Sequence, residues 1–133
     1  MTFSDFDCHS NPLFIELKLL KVRDVIKTQQ LKLMYDYHMN MLPADIHSLF
    51  MRNIEVHDHD NRYAKYLFHI PEIQTTAYGN KSIKFHCPCI WNTAVRSGIS
   101  LSADKTVNLE MLNNVFQFKR TMKKHFLYSY TLE

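Results

Sequence analysis

The chain has 133 residues, of which 46% are apolar and 22% are charged, and its formal net charge is +3. This composition is typical of one small globular domain and excludes an intrinsically disordered chain. No apolar run approaches the ~20 residues of a membrane-spanning helix, and the three cysteines suggest no disulfide framework, so we expect an intracellular protein that does not enter a membrane.

The N-terminal third predicts two helices. Residues 1–11 are polar and are expected to form a flexible lead-in. Pro12 suits the first position of a short helix, and Asp24 is placed to cap a longer one over about residues 25–41. Pro43 is expected to end this longer helix, because the residue before a proline disfavours the helical conformation.

The longer helix has two apolar sides. At about 100° per residue, six residues form one stripe that we expect to face the core: Val22, Ile26, Leu33, Met34, Tyr37 and Met41. Leu31 and Tyr35 fall on the far side of the helix. A second apolar patch predicts a second packing partner.

The middle of the chain predicts little regular structure. Asp45 to Phe50 indicates a short helical turn, and residues 53–80 are polar enough to be mostly loop. Apolar and polar residues alternate from Ser82 to His86, which predicts a short strand. Pro88 is expected to open a helix that continues to about Val95, and residues 97–108 are expected to form a loop.

The C-terminal segment predicts a basic amphipathic helix from about Leu109 to Tyr128. Its apolar face is expected to contain Met111, Leu112, Val115, Phe118, Met122 and Phe126. An adjoining arc holds four cations within six residues: Lys119, Arg120, Lys123 and Lys124. Such cations can contact nucleic-acid phosphates, and Tyr128 and Tyr130 beyond them could stack on unpaired bases. The alternative is an ordinary solvated face whose positive charge suits the end of a helix.

Together these elements predict an α+β fold that is mainly α, with about four helices and a short β-strand pair. A single small domain is expected over residues 12–128, followed by a tail at 129–133.

Catalytic chemistry has little support in the sequence. Polymerases need paired carboxylates for two metal ions, and the nearest arrangement is Asp58-His59-Asp60. His86 and Cys87 are neighbours, but neighbours in a strand point to opposite faces. We therefore expect neither an enzyme nor a bound cofactor.

A zinc site is the main alternative among binding functions. His57 and His59, with Cys87 and Cys89, supply suitable ligand types. The C-x-C and H-x-H spacings are shorter than those of most structural zinc sites, so we predict no metal.

Trp91 and Asn92 are the remaining candidates. A single tryptophan in an apolar segment favours a core position, with base stacking as the alternative. Asn92 is expected to form a hydrogen bond with nearby backbone.

Four short motifs follow one another along the chain. Residues 12–14 read PLF and the first long helix ends in Leu42-Pro43; the run GNKSIKFHCPCIWN spans Gly79 to Asn92, and FKRTMKKHFL spans Phe118 to Leu127. This order resembles the C-terminal tail of reverse transcriptases from LINE-type (non-LTR) retrotransposons, downstream of the polymerase domain. That family has G-x-x-S-x-x-x-x-G-P-x-x-W-N in this region, with Cys87 here in place of the second glycine, and then F-K-x-x-L-K. His57 and Arg62 match an HxYNTR-like stretch of the same family.

The resemblance implies a non-catalytic remnant, because the family's tail contains none of the polymerase's catalytic residues. It implies that Arg62 and the four cations near the C-terminus would contact RNA or DNA phosphates without sequence preference, beside a polymerase body. The alternative is a small intracellular interaction domain that packs against a helical protein partner and has no nucleic-acid role.

Overall fold

The computed structural model describes residues 10–56, 66–75, 77–102, 105–108 and 112–132. Within these ranges the chain is mainly helical and carries one two-stranded antiparallel sheet. The elements are α1 (Asn11–Glu16), α2 (Val22–His38), α3 (Ala44–His47), α4 (Asn53–Val56), a 3-10 helix (Gly79–Lys81), α5 (Ile83–Ser97), β1 (Ile99–Ser102), β2 (Lys105–Val107) and α6 (Val115–Leu132). The predicted mainly helical α+β class is confirmed, although the described residues form six α-helices rather than about four.

Three long helices enclose the core. Helix α2 packs against both α5 and α6, while α1 and β1 pack against α6. Tyr35 of α2 stacks on Phe118 of α6 with ring centroids 4.8 Å apart, and its hydroxyl donates to the Leu112 carbonyl oxygen at 2.6 Å. Burial, with a smaller contribution from the Asp36 charge, raises the pKa of Tyr35, so this hydroxyl stays a neutral donor.

The predicted core stripe of α2 is wrong at three of its six positions, and Leu33 is half-buried against the core. Met34 and Tyr37 are buried as expected, but Leu31 and Tyr35 are also buried, whereas Val22 is 76% exposed. Ile26 and Met41 are also exposed. Because both sides of the helix are apolar, periodicity alone does not predict which side is buried. The buried side is the one that packs against α5 and α6.

The ends of α2 also differ from the prediction. The cap position belongs to Lys21, and Asp24 is buried within the first turn instead. The helix ends at His38, where Asn40 adopts a left-handed conformation with φ of 56°. Pro43 precedes α3 rather than ending α2, and α3 confirms the short helical turn predicted after it.

The strand predicted from Ser82 to His86 is wrong, because α5 begins at Ile83. Ser82 has extended backbone angles (φ −64°, ψ 137°) and precedes the first helical turn. Pro88 lies inside the helix rather than opening it, and it is buried. An alternation of five residues was too short a signal to exclude a helix that is held by core packing.

The strand pair occurs instead in the predicted loop 97–108. Ile99 pairs with Val107 and Ser100 with Thr106. Gly98, with φ of 72°, lies between α5 and β1 in a conformation that side chains rarely adopt. Ile99 is buried, so the hairpin is attached to the core through β1.

The fold extends beyond the predicted boundaries of the domain. Helix α1 begins at Asn11, whose side chain is buried, and α6 continues to Leu132 with Tyr130 buried. The predicted lead-in and tail therefore overlap folded elements at residue 11 and at residues 129–132. Among the helices that the structure describes, none combines the length and the apolar character needed to cross a membrane.

Candidate nucleic-acid interface

Helix α6 is a capped amphipathic helix. Asn114 precedes it: its Oδ1 accepts from the Phe116 N–H at 2.9 Å, and its carbonyl oxygen accepts from the Phe118 N–H at 3.0 Å. The buried residues follow at intervals of four, which places them on one face: Phe118, Met122, Phe126 and Tyr130. The predicted apolar face is confirmed at Phe118, Met122 and Phe126, and the helix begins six residues later than predicted. Leu112 is buried but precedes the helix, Val115 is half-buried, and Met111 lies outside the described residues.

The four predicted phosphate-binding residues lie together on the outer arc of α6. Lys119, Arg120, Lys123 and Lys124 are all exposed. The helix contains no Asp or Glu. Within the described part of the chain, none of the four α6 cations forms an ion pair with a carboxylate. An ion pair does join Lys32 and Asp36 on α2. The arc is therefore an uncompensated positive surface.

Phe116 is the residue that the sequence analysis missed. Its side chain is 82% exposed. At about 100° per residue, Phe116 falls between the pair Lys119 and Lys123 and the pair Arg120 and Lys124 on the same arc. A helical projection of the sequence could have found it, because a large aromatic ring within a cationic arc is an unusual surface residue. Cations around an exposed ring are the combination that single-stranded nucleic acid binds.

The prediction that Tyr130 stacks on bases is wrong. Tyr130 is only 4% exposed, and its hydroxyl accepts from the Lys21 N–H at 2.9 Å and donates to Asp24 Oδ2. Tyr128 is half-buried. Phe116 is therefore better placed than either tyrosine to contact an unpaired base.

A shallow groove adjoins the basic arc. It has a volume of about 380 Å³ and runs between the hairpin and α6. Its lining residues are Leu101, Val107, Leu112, Gln117, Arg120, Thr121 and Lys124. Two of the four cations thus stand beside the apolar side chains of Leu101, Val107 and Leu112, where a sugar or base could lie while its phosphate meets a cation.

Arg62 and the histidine-rich segment lie outside the described residues. The same holds for His57, Asp58, His59 and Asp60, so half of the proposed zinc ligand set has no described position. Among the described residues, no group of three or more His, Cys, Asp and Glu side chains could hold a metal ion.

The two cysteines of α5 are poor nucleophiles. Burial raises the pKa of Cys87 to about 11, and burial also raises the pKa of Cys89. Both are therefore protonated thiols at neutral pH, whereas a reactive or metal-binding cysteine needs a thiolate. His86 and Cys87 follow each other in a helix, and successive helical residues do not face one another.

Trp91 occupies the core, as predicted. It is 1% exposed, its Nε1–H donates to the Tyr66 carbonyl oxygen at 3.1 Å, and its ring lies 6.1 Å from that of Phe68. A buried indole cannot stack on a base, so that alternative is excluded. Asn92 does bind backbone, but the backbone belongs to Phe68 rather than to a near neighbour.

An exposed apolar surface lies elsewhere, on α2 and the turn before it. Val22, Val25 and Ile26 are 76%, 42% and 54% exposed, and Leu19 is 54% exposed. Val22 and Ile26 belong to the stripe of α2 that was predicted to face the core. This surface fits the alternative of an interaction domain.

Comparison with known proteins gave no match: no family model fits the chain, and neither the curated proteins nor the solved structures contain a similar one.

Proposed function

We propose that this chain is a non-catalytic module, derived from the region after a LINE-type reverse transcriptase, that binds single-stranded RNA or DNA inside the cell without reading its sequence. The observation that supports the proposal best is the outer arc of α6, where four exposed cations surround an exposed Phe116 and no carboxylate is present. The motif order from Pro12 to Leu127 supports the origin.

Each part of the arc has a distinct task. Lys119, Arg120, Lys123 and Lys124 neutralise phosphates, which gives affinity but carries no sequence information. Phe116 offers a ring on which any base can stack, so unpaired strands are preferred over duplex. In a full-length element this arc would hold template or product beside the polymerase body.

A salt-dependent binding titration tests the proposal. Fluorescence anisotropy of a labelled oligothymidylate is measured at several salt concentrations for the wild type and for Lys123→Ala/Lys124→Ala. Removing these cations should weaken binding to all sequences alike and flatten the salt slope by about one unit for each phosphate that is no longer neutralised. Lys81→Ala/Lys84→Ala is the matched control, because it removes two exposed lysines from elsewhere on the surface. If both double variants weaken binding equally, the loss of affinity follows from the lower net charge of the protein, and the proposed site is contradicted.

The origin has a separate test. Genomic DNA on the 5′ side of the coding sequence is expected to encode recognisable polymerase motifs in the same orientation. An unrelated, intact upstream gene would contradict a retrotransposon origin without affecting the binding result.

The exposed apolar surface of α2 favours a second candidate function, docking to a helical protein partner such as the polymerase body. Val22→Lys/Ile26→Lys would then abolish capture of a LINE-type polymerase fragment while leaving oligothymidylate binding intact. Capture that is unaffected by both lysines would contradict this second function.

A further inference from the structure

Two adjoining cavities form one groove between α2 and α6. We call the cavity beside α5, with a volume of about 350 Å³, the inner one, and the cavity beside the start of α2, with a volume of about 560 Å³, the outer one; both open to solvent. Lys27, His125 and Phe126 line both of them, so the two adjoin along these side chains. We call this the α2–α6 groove; it lies on a different side of α6 from Arg120 and Lys124, which line the groove beside the hairpin.

The inner end is mostly apolar. Its walls include Leu31, Ile90, Ala94, Ile99, Met122 and Phe126. Cys89 and Thr93 of α5 also line it, and Thr93 is exposed. Its other polar lining residues are Lys27, His86, Ser97 and His125. A cavity of this size between helices, with a mostly apolar surface and a few polar groups, is typical of a small-ligand site.

The outer end is basic. Lys21, Arg23, Lys27 and His125 line it together with Ser129 and Tyr130. Asp24 is the one carboxylate among the described lining residues, and it accepts a hydrogen bond from the Tyr130 hydroxyl. Arg23 and Lys27 are exposed.

His125 is oriented by the hairpin. Its Nδ1 lies 2.9 Å from the Ser100 carbonyl oxygen, and since a carbonyl only accepts, Nδ1 carries the hydrogen. Nε2 is the ring nitrogen that remains for a ligand.

We propose that the α2–α6 groove binds a single-chain amphiphile with an anionic headgroup. The aliphatic chain would fill the inner cavity, and the headgroup would lie among Arg23, Lys27 and His125. The arrangement of the two ends gives the specificity: a mostly apolar cavity adjoins a cationic one, so a neutral chain or a bare anion uses only half of the groove. The proposal is independent of nucleic-acid binding.

Protection of the Cys89 thiol from alkylation tests whether a ligand occupies the inner cavity. In a Cys8→Ser background, Cys89 lines the inner cavity while Cys87 is 1% exposed, so iodoacetamide at mildly alkaline pH should modify Cys89 first. Decyl phosphate or decanoate, below its micelle concentration, is expected to slow this modification and to raise the Tm. Decanol should bind at least tenfold more weakly and inorganic phosphate should give no protection. The stronger of the two anionic probes identifies the headgroup as phosphate or carboxylate.

Variants separate the two ends of the groove. Arg23→Ala/Lys27→Ala should weaken decyl phosphate at least tenfold without changing the affinity for decanol. Arg120→Ala/Lys124→Ala, with the same loss of charge in the separate groove beside the hairpin, should leave both affinities unchanged. Thr93→Trp, at an exposed position, should block both ligands in a folded protein. Equal affinity for decanol and decyl phosphate, no effect of Arg23→Ala/Lys27→Ala, or no protection of Cys89 by either anionic probe would overturn the proposal.

Discussion

The side chain of Asn92 pairs with both backbone polar groups of Phe68. Its Oδ1 accepts from the Phe68 N–H and its Nδ2 donates to the Phe68 carbonyl oxygen, each at 2.8 Å. On its other side, the segment around Phe68 is bonded to the chain before α4, where the His69 N–H donates to the Met51 carbonyl oxygen and the Asn53 N–H to that of Leu67. Asn92 therefore completes the hydrogen bonding of this extended segment by pairing the Phe68 N–H and carbonyl oxygen on the side that faces α5.

Asn92→Ala should destabilise the fold by about 2–4 kcal/mol, because a buried N–H and a buried carbonyl oxygen would both lose their partner. Urea denaturation measures this change. Asn113→Ala, at an exposed asparagine, is the matched control and should stay within about 0.5 kcal/mol of the wild type. An equally small change in the free energy of unfolding for Asn92→Ala would contradict this prediction and show that water replaces the two hydrogen bonds of the Asn92 side chain.

Trp91→Ala should cost about 3–5 kcal/mol, the usual loss for a buried large aromatic side chain. Trp91→Phe keeps most of the apolar contact but leaves the Tyr66 carbonyl oxygen without its donor, so an intermediate loss is expected. Since Trp91 is the only tryptophan, its fluorescence follows unfolding directly. Unchanged stability in Trp91→Ala would place the ring at the surface and restore the stacking hypothesis.

Features that depend on a clear local pattern, such as a helix with a single apolar face, could be predicted from the sequence. The apolar face of α6 was identified because cations fill the adjoining arc, and the core position of Trp91 follows from its size and apolar neighbours. The fold class and the positions of Lys119 and Lys123 on one exposed arc could likewise be read from the residues.

Features that depend on distant contacts could not be predicted. Leu31 and Tyr35 compete with an equally apolar stripe on α2, and only packing against the other helices decides between them. Asn92 looked like a local hydrogen-bonding residue because its partner is 24 positions away. The same limit applied to Tyr130, whose burial depends on Lys21 and Asp24.

Stability should fall as the pH rises from about 9 to about 11, because burial raises the pKa of Cys87 from its ordinary value of 9.0 to about 11. Between these values the unfolded chain has released the thiol proton and the folded chain still binds it, so the free energy of unfolding decreases with pH. The loss from this group is at most about 2–3 kcal/mol. Tyr35, Tyr37 and Cys89, whose pKa values are also raised, act in the same direction at alkaline pH.

Urea denaturation at several alkaline pH values measures this effect, with Cys87→Ala as the comparison. The variant should be less stable at neutral pH because of the cavity, yet its stability should depend less steeply on pH. Parallel pH profiles for the two proteins would show that the Cys87 thiol does not contribute.

Primer extension should be absent in the purified chain. Two-metal polymerase chemistry needs paired carboxylates, and the sequence has no adjacent pair of aspartates. The assay uses a primed RNA or DNA template with Mg²⁺ and all four deoxynucleotides. Synthesis that disappears when Mg²⁺ is removed would contradict a non-catalytic module.

Phe116→Ala should reduce the preference for single strands. Removing one base-stacking ring costs about 1–3 kcal/mol of binding free energy, whereas Phe116 is 82% exposed and its removal should leave folding stability within about 0.5 kcal/mol. The salt slope should not change, because no charge is removed, and duplex affinity should stay constant. Phe116→Tyr, which keeps the ring, is the control and should bind like the wild type. The measurement is a pair of anisotropy titrations, with labelled oligothymidylate and with a labelled duplex of equal length. If Phe116→Ala binds the single strand as tightly as the wild type does, the ring takes no part and the cations alone account for any binding.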